Sequence, residues 1–239
     1  MSEYLDKTST YLAASLIKDE MDYFSFHRNR FEKILKIVRD RVAPDDAILD
    51  IGSYCLHQLL ALYFAGFKRL AGADLKRFND QMRDRAAGFG INLKDCDLSK
   101  EAVPFPDSSF SLVLLAETLE HLNFHPLKVF KEIHRVLEPG GTLLITTPNL
   151  LRLNNRLKMM LGWSLNSDLR EEFHAGTHYR EYSAAEIDFL AASAGFKKTR
   201  CDFADFDYPN RSRTVAFVNK AAGRVFPGLK SNLIITAEK

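Results

Sequence analysis

The stretch AILDIGSYCLHQLLAL, residues 47–62, decides the fold. Ala47 to Ile51 is a short run, apolar but for Asp50, of the kind a strand covered on both faces requires. Gly52 marks a turn, and from Cys55 the pattern CLHQLLALYFAG reads as a helix closed by Gly66. A buried strand that runs through glycine into a helix is the opening unit of a ligand-binding α/β sheet. What the stretch lacks is a second glycine. Gly52 is followed by Ser53, Tyr54, Cys55, Leu56 and His57. Side chains therefore stand where the backbone of such a loop ordinarily comes close to a ligand.

Strand and helix signals alternate outward from this unit. RNRFEKILKIVRDRV (28–42) has Phe31, Ile34, Leu35, Val38 and Val42 at helical spacing. RLAGADL (69–75), INLKDCDL (91–98), FSLVLLAE (110–117), TLLITTPN (142–149), TRCDFADF (199–206) and NLIITAEK (232–239) read as strands. HPLKVFKEIHRVL (125–137) reads as a helix stopped by Pro139, Gly140 and Gly141. SAAEIDFLAASAGF (183–196) has a serine N-cap, a glutamate three residues later and a closing glycine. The alternation predicts an open, mostly parallel sheet with helices on both faces. Ligands of such sheets bind beyond the carboxyl ends of the strands.

That rule selects the site candidates. Gly52 follows the first strand. Asp74 follows the second, where a carboxylate can accept hydrogen bonds from two ribose hydroxyls. Asp97 and Leu98 follow the third, an acid for an exocyclic amine beside an apolar cover for a base. Ala116 and Glu117 follow the fourth, with Glu120 and His121 one turn on, and Thr147, Pro148 and Asn149 follow the fifth.

The motifs LDIG (49–52), GADL (72–75), CDL (96–98), PFPDSSFSLVLLAETLEHL (104–122), EIHRVLEPGGTLLITTPN (132–149) and HYREYSAAEIDFLAASAGF (178–196) resemble the class I S-adenosylmethionine-dependent methyltransferases. The run from Pro104 to Asn149 is the most specific part. The resemblance implies a Rossmann-like, seven-stranded, mostly parallel sheet whose last strand is antiparallel, and S-adenosyl-L-methionine as cofactor. It implies Gly52 under the methionine part, Asp74 on the ribose, Asp97 and Leu98 on the adenine, and Ala116 and Glu117 as a wall near the sulfonium. Asp50 and Ser53 are counted with these cofactor residues. Two positions depart from the family pattern: the loop after Gly52, expected to be a variant that still binds, and Ser111, where aspartate is usual, expected to have only a local effect.

A hydroxyl acceptor would need a base, and His121 and His178 are the candidates for catalysis. The pairs His121/His125 and His174/His178 have spacing that could hold a metal, but Pro126 follows the first and Gly176 splits the second, so no metal is expected. One domain over residues 1–239 is expected, with an N-terminal helical segment at 1–45 and acceptor-side insertions at 150–182 and 207–230. The first insertion, expected to act as a lid, carries Met159, Met160, Leu161 and the single tryptophan, Trp163, beside Arg152, Arg156 and Lys158. His178 and Arg180 within it either face an acceptor or brace the helix that begins near Ser183.

The chain has 239 residues, 46% of them hydrophobic, and a net charge of +2. That charge gives no global case for nucleic acid. Three cysteines without metal-type spacing suit a reducing, cytoplasmic setting, and neither a signal peptide nor a membrane span is expected. The leading reading is a methyltransferase acting on a small molecule, a sugar or a lipid- or nucleotide-linked precursor, with oxygen favoured as acceptor atom. Peripheral contact with a membrane or a lipid-linked substrate, and a monomer or homodimer, accompany it. The alternative is a non-catalytic scaffold with a degenerate loop. A nicotinamide dehydrogenase is disfavoured by the absent Gly-x-Gly-x-x-Gly.

Overall fold

Seven strands alternate with helices in the computed structural model, which describes residues 2–14, 18–75, 78–165, 177–206 and 220–239. The chain opens with three helices, α1 (Ser2–Ala14), α2 (Lys18–Phe26) and α3 (Arg28–Arg39). Then follow β1 (Ala47–Ile51), α4 (His57–Phe64), β2 (Arg69–Asp74), α5 (Asp80–Gly88), β3 (Asn92–Asp95) and β4 (Phe110–Ala116). The second half holds α6 (Leu127–Val136), β5 (Leu137–Pro148), α7 (Leu153–Met160), α8 (Ala184–Ala194), β6 (Lys198–Ala204) and β7 (Asn232–Glu238). The strands form one sheet in the order β3-β2-β1-β4-β5-β7-β6. β1, β2 and β3 are parallel neighbours, and β7 runs antiparallel to β6. The expected fold class, with its antiparallel last strand, is therefore the observed one.

The chain divides into two compact units, Met1–Leu114 with Arg135–Thr142, and Leu115–His134 with Leu143–Lys239. In the first, every residue of β1 is buried, as its apolar composition requires. Phe31, Ile34, Leu35 and Val38 of α3 are buried as their spacing predicts. Phe24 of α2 stacks on Phe31, ring centroids 4.8 Å apart. A buried ion pair, Arg85 to Glu20 at 2.7 Å, ties α5 to α2. In the second unit, the core face of α8 and nearly all of β7 are buried. Ser183 caps α8 in a reciprocal capping box with Glu186, and Gly195 closes it at φ +101°.

Two boundaries differ from expectation. α4 begins at His57, because Cys55 and Leu56 adopt left-handed backbone at φ +64° and +58°. Pro139, Gly140 and Gly141 lie inside the span of β5 instead of following a helix. A Cβ on Gly141 would stand 2.9 Å from the Glu138 carbonyl oxygen and 3.2 Å from that of Phe110, so glycine there permits close backbone contact with the start of β4. Ser111, at that same start, donates to the Glu138 carboxylate at 3.0 Å, a local role away from the strand's carboxyl end. No helix among the described residues is long and apolar enough to cross a membrane.

Candidate active site

In the first unit the loop after β1 is fastened to β2. Gly52, at φ +83°, donates its N–H to the Ala73 carbonyl at 2.8 Å. The Asp74 carboxylate accepts the Tyr54 N–H at 3.0 Å through Oδ2 and the Leu75 N–H at 2.7 Å through Oδ1. Each oxygen has a further lone pair, so the same carboxylate that pins the loop can accept from two vicinal hydroxyls. The Asp74 carbonyl accepts the Cys96 N–H at 2.7 Å, which links the ends of β2 and β3.

The loop takes glycine conformations without glycines. Cys55 and Leu56 both lie in the left-handed region, which costs roughly 1–2 kcal/mol per non-glycine residue. Leu56 is fully buried, and burial of a leucine side chain offsets that cost by about 1.5–3 kcal/mol. Ser53 is buried and its hydroxyl has no hydrogen-bond partner among the described residues. That hydroxyl packs against Gly72, where an added Cβ would come within 2.5 Å of it. Burial pushes the Cys55 thiol up to about 12, which leaves it unreactive near neutral pH.

Asp50 lies within β1 and is buried. Loss of hydration first, and the neighbouring Asp74 charge second, push its carboxyl up to about 8. At neutral pH it is a protonated acid, so Asp74 carries the negative charge of this pair. Asp97 accepts from the Ser99 hydroxyl and N–H and from Lys100 Nζ at 2.9 Å, and these partners, Ser99 foremost, hold its carboxyl near 2. Leu98 beside it is half-buried.

S-adenosylmethionine carries a ribose diol, an adenine and a charged amino-acid end. Asp74, Asp97 with Leu98, and the buried hydroxyl of Ser53 beside Gly52 match these in chemical type. The donor set fits the cofactor.

The second unit holds the histidines. Ala116 ends β4, and Glu117 turns at φ +49° while its N–H donates to the Thr146 carbonyl at 2.8 Å. Backbone held in this region by a non-glycine residue clusters at functional sites. A 3-10 turn, Leu119–His121, then presents Glu120 and His121. Glu120 is fully buried and accepts from the Thr147 hydroxyl at 2.9 Å. Its carbonyl accepts the Tyr179 N–H at 2.9 Å, which draws the segment after residue 177 against it. His121 Nδ1 lies 3.0 Å from the Thr177 carbonyl oxygen. The His121 and His178 rings meet edge to face, centroids 4.8 Å apart. His178 Nδ1 is 3.8 Å from Glu181. Burial raises the Glu181 carboxyl, but the nearby His178, hydrogen bonds from Arg152 and Asn155 and the Arg152 charge outweigh it and leave the group at about 2.

The structure thus brings together one histidine from each of the two sequence pairs. His125 instead accepts the Leu127 N–H at the start of α6, and His174 lies outside the described residues. Arg180 pairs with Glu186 and lies over the Tyr182 ring, so it braces α8, whereas His178 stands at His121. Glu181 and its clamp by Arg152 and Asn155 had no signal in the sequence beyond the three-residue spacing of His178 and Glu181. On and after α7, Met159, Met160, Leu161 and Trp163 are all exposed. Residues 166–176 and 207–219 of the two insertions lie outside the described residues.

Residues 49–145 match the model of a methyltransferase domain family. A ubiquinone/menaquinone biosynthesis C-methyltransferase of Marinomonas sp. is 37% identical over 89 residues, 33% of this chain and 35% of that protein. The enzyme of the same name from Hydrogenovibrio crunogenus is 31% identical over 132 residues, 52% of this chain and 50% of that one. The matched region thus spans between about a third and a half of the length of these relatives. A solved Thermotoga maritima methyltransferase, described as a possible histamine N-methyltransferase, has a TM-score of 0.62 at 17% identity, covering 94% of this chain and 96% of that one, which speaks for the fold. The matched region covers 97 of the 239 residues, and together with the strand order it supports a class I S-adenosylmethionine-dependent methyltransferase.

Proposed function

We propose that this chain transfers a methyl group from S-adenosylmethionine to a small molecule with an apolar or lipid-linked part, with oxygen as the acceptor atom. The observation that carries the acceptor reading is the contact of His121 with the Thr177 carbonyl, with His178 against its ring. A carbonyl oxygen only accepts, so Nδ1 carries the hydrogen and, in the neutral ring, Nε2 keeps a lone pair. That is the state a base needs to take a proton from a hydroxyl. The exposed Met159, Met160, Leu161 and Trp163, with Arg156 and Lys158 on the same stretch, support an apolar, anionic or membrane-associated acceptor.

In this reading Asp74 holds the ribose hydroxyls, and Asp97 with Leu98 the adenine. Gly52 and Ser53, backed by Asp50, receive the methionine end, and Ala116 and Glu117 form a wall near the sulfur. When bound, the cofactor supplies an electrophilic methyl group on a sulfonium. The residues of the chain have to align the acceptor, keep water away and take up its proton. A second reading, methylation at carbon, is favoured by the names of the two curated relatives.

The test is transfer of isotope-labelled methyl from the cofactor into aqueous and lipid extracts, with the product analysed by NMR. An O-methyl resonance in a product that requires His121 is expected. A C-methyl product would select the second reading. Cofactor binding without transfer to either extract would favour a non-catalytic scaffold.

A further inference from the structure

We infer that Glu120, His121 and His178 form a binding site for one divalent transition-metal ion, with Zn2+ the best match. The inference deepens the reading above, resting on the view that this corner handles the acceptor's hydroxyl. The ligand-capable atoms of the three residues all lie within 4.8 Å of one another. Two imidazoles and one carboxylate are a set that first-row metals take while keeping positions open. Metal–ligand bonds of about 2.0–2.2 Å require the three groups to draw closer. His178, the most exposed of the three, is the one best placed to approach by a rotamer change.

Each candidate ligand also has an outer partner, as built metal sites do. His121 is oriented by the Thr177 carbonyl. Glu120 is oriented by the Thr147 hydroxyl. His178 leans on Glu181, which Arg152 and Asn155 fix in turn. Glu120 is fully buried, and a buried carboxylate is stable as an anion only opposite positive charge and hydrogen-bond donors. A divalent ion would supply that charge. An open coordination position would take an acceptor hydroxyl and lower its pKa, so that with the ion bound His121 would serve as a ligand through Nε2 in place of its role as base, and the hydroxyl proton would pass to solvent. The sequence hid this set, because Glu120 and His121 are adjacent, not four apart, and His178 arrives from a segment 57 residues later.

The experiment uses the full chain without a tag, stripped by chelator and titrated with Zn2+ by calorimetry and with Co2+ by visible absorption. S-adenosylhomocysteine binding is measured on the same samples. One equivalent bound at micromolar dissociation constant or tighter is expected, with Co2+ bands of histidine coordination. His178→Ala and His121→Ala should each weaken binding at least tenfold, and Glu120→Gln likewise. His178→Ala, at a half-exposed position, guards against loss through misfolding, and its melting temperature without metal should match the wild type. No stoichiometric Zn2+ or Co2+ binding by the wild type would overturn the inference. So would unchanged affinity in the His121→Ala/His178→Ala double variant. Failure to bind S-adenosylhomocysteine would instead count against the cofactor reading, separately from the metal result.

Discussion

Cys55 and Leu56 share a left-handed backbone, yet they are not equivalent. Cys55 is half-buried, whereas Leu56 is fully buried in the core of the first unit. Cys55→Gly removes about 1–2 kcal/mol of backbone strain and adds about 0.5–1 kcal/mol of unfolded-state entropy. Stability should therefore stay level or rise by up to about 1.5 kcal/mol, with cofactor affinity within about tenfold. Leu56→Gly relieves similar strain but deletes a side chain whose loss in a core costs about 2–5 kcal/mol, so it should lower stability by at least about 1 kcal/mol. Urea unfolding of the two variants separates these outcomes, and equal effects would show that the loop is not held by Leu56. Asp50 gives a pH prediction. Its carboxyl rises from 3.8 to about 8 on folding. Its contribution is full below about pH 3.8 and is lost as pH rises through about 8. The melting temperature of the wild type should fall between about pH 4 and pH 8 relative to that of Asp50→Asn. Parallel curves would show that Asp50 ionises freely in the fold.

At the scale of elements, β2 fits closely against the loop and its neighbours. A Cβ at Gly72 would meet Ser53 Oγ at 2.5 Å, Leu93 Cδ2 at 2.8 Å and Leu59 Cδ1 at 3.0 Å. Gly72→Ala should cost about 1–3 kcal/mol by overpacking, read by chemical denaturation; a neutral result would mean that Ser53 has room to turn away. The N-terminus of α8 rests on its capping box, and Ser183→Ala should cost about 1 kcal/mol. These elements differ in how much the sequence disclosed. α8 was legible to the residue, because its cap, its first-turn glutamate and its closing glycine are local chemistry. α3 was legible because its apolar stripe is the burial pattern itself. The start of α4 was not, since left-handed backbone at Cys55 and Leu56 goes against the preference of both residues and is imposed by packing. The span of β5 was misread for a related reason: Pro139–Gly141 looks like a stop, and only the proximity of Phe110 shows why the chain needs glycine there.

For the whole molecule, the open, mostly parallel sheet was legible because alternating apolar runs fix the class of fold before any contact is known, whereas the antiparallel last strand came only from the resemblance to the methyltransferases. The acids after β2 and β3 were legible from the same logic, since position after a strand is a property of sequence. The pairing of His121 with His178 and the clamp on Glu181 were not, as they depend on where a long connection returns. The central claim is that this chain holds S-adenosylmethionine at the end of β2 despite its glycine-poor loop. Calorimetric titration of S-adenosylhomocysteine into the wild type and into Asp74→Ala tests it most directly. Micromolar binding, roughly −8 kcal/mol, is expected for the wild type. Asp74→Ala, which removes charge-assisted hydrogen bonds of about 1.5–3 kcal/mol each, should bind at least tenfold more weakly. No binding by the wild type at millimolar ligand, or equal binding by both proteins, would contradict the account.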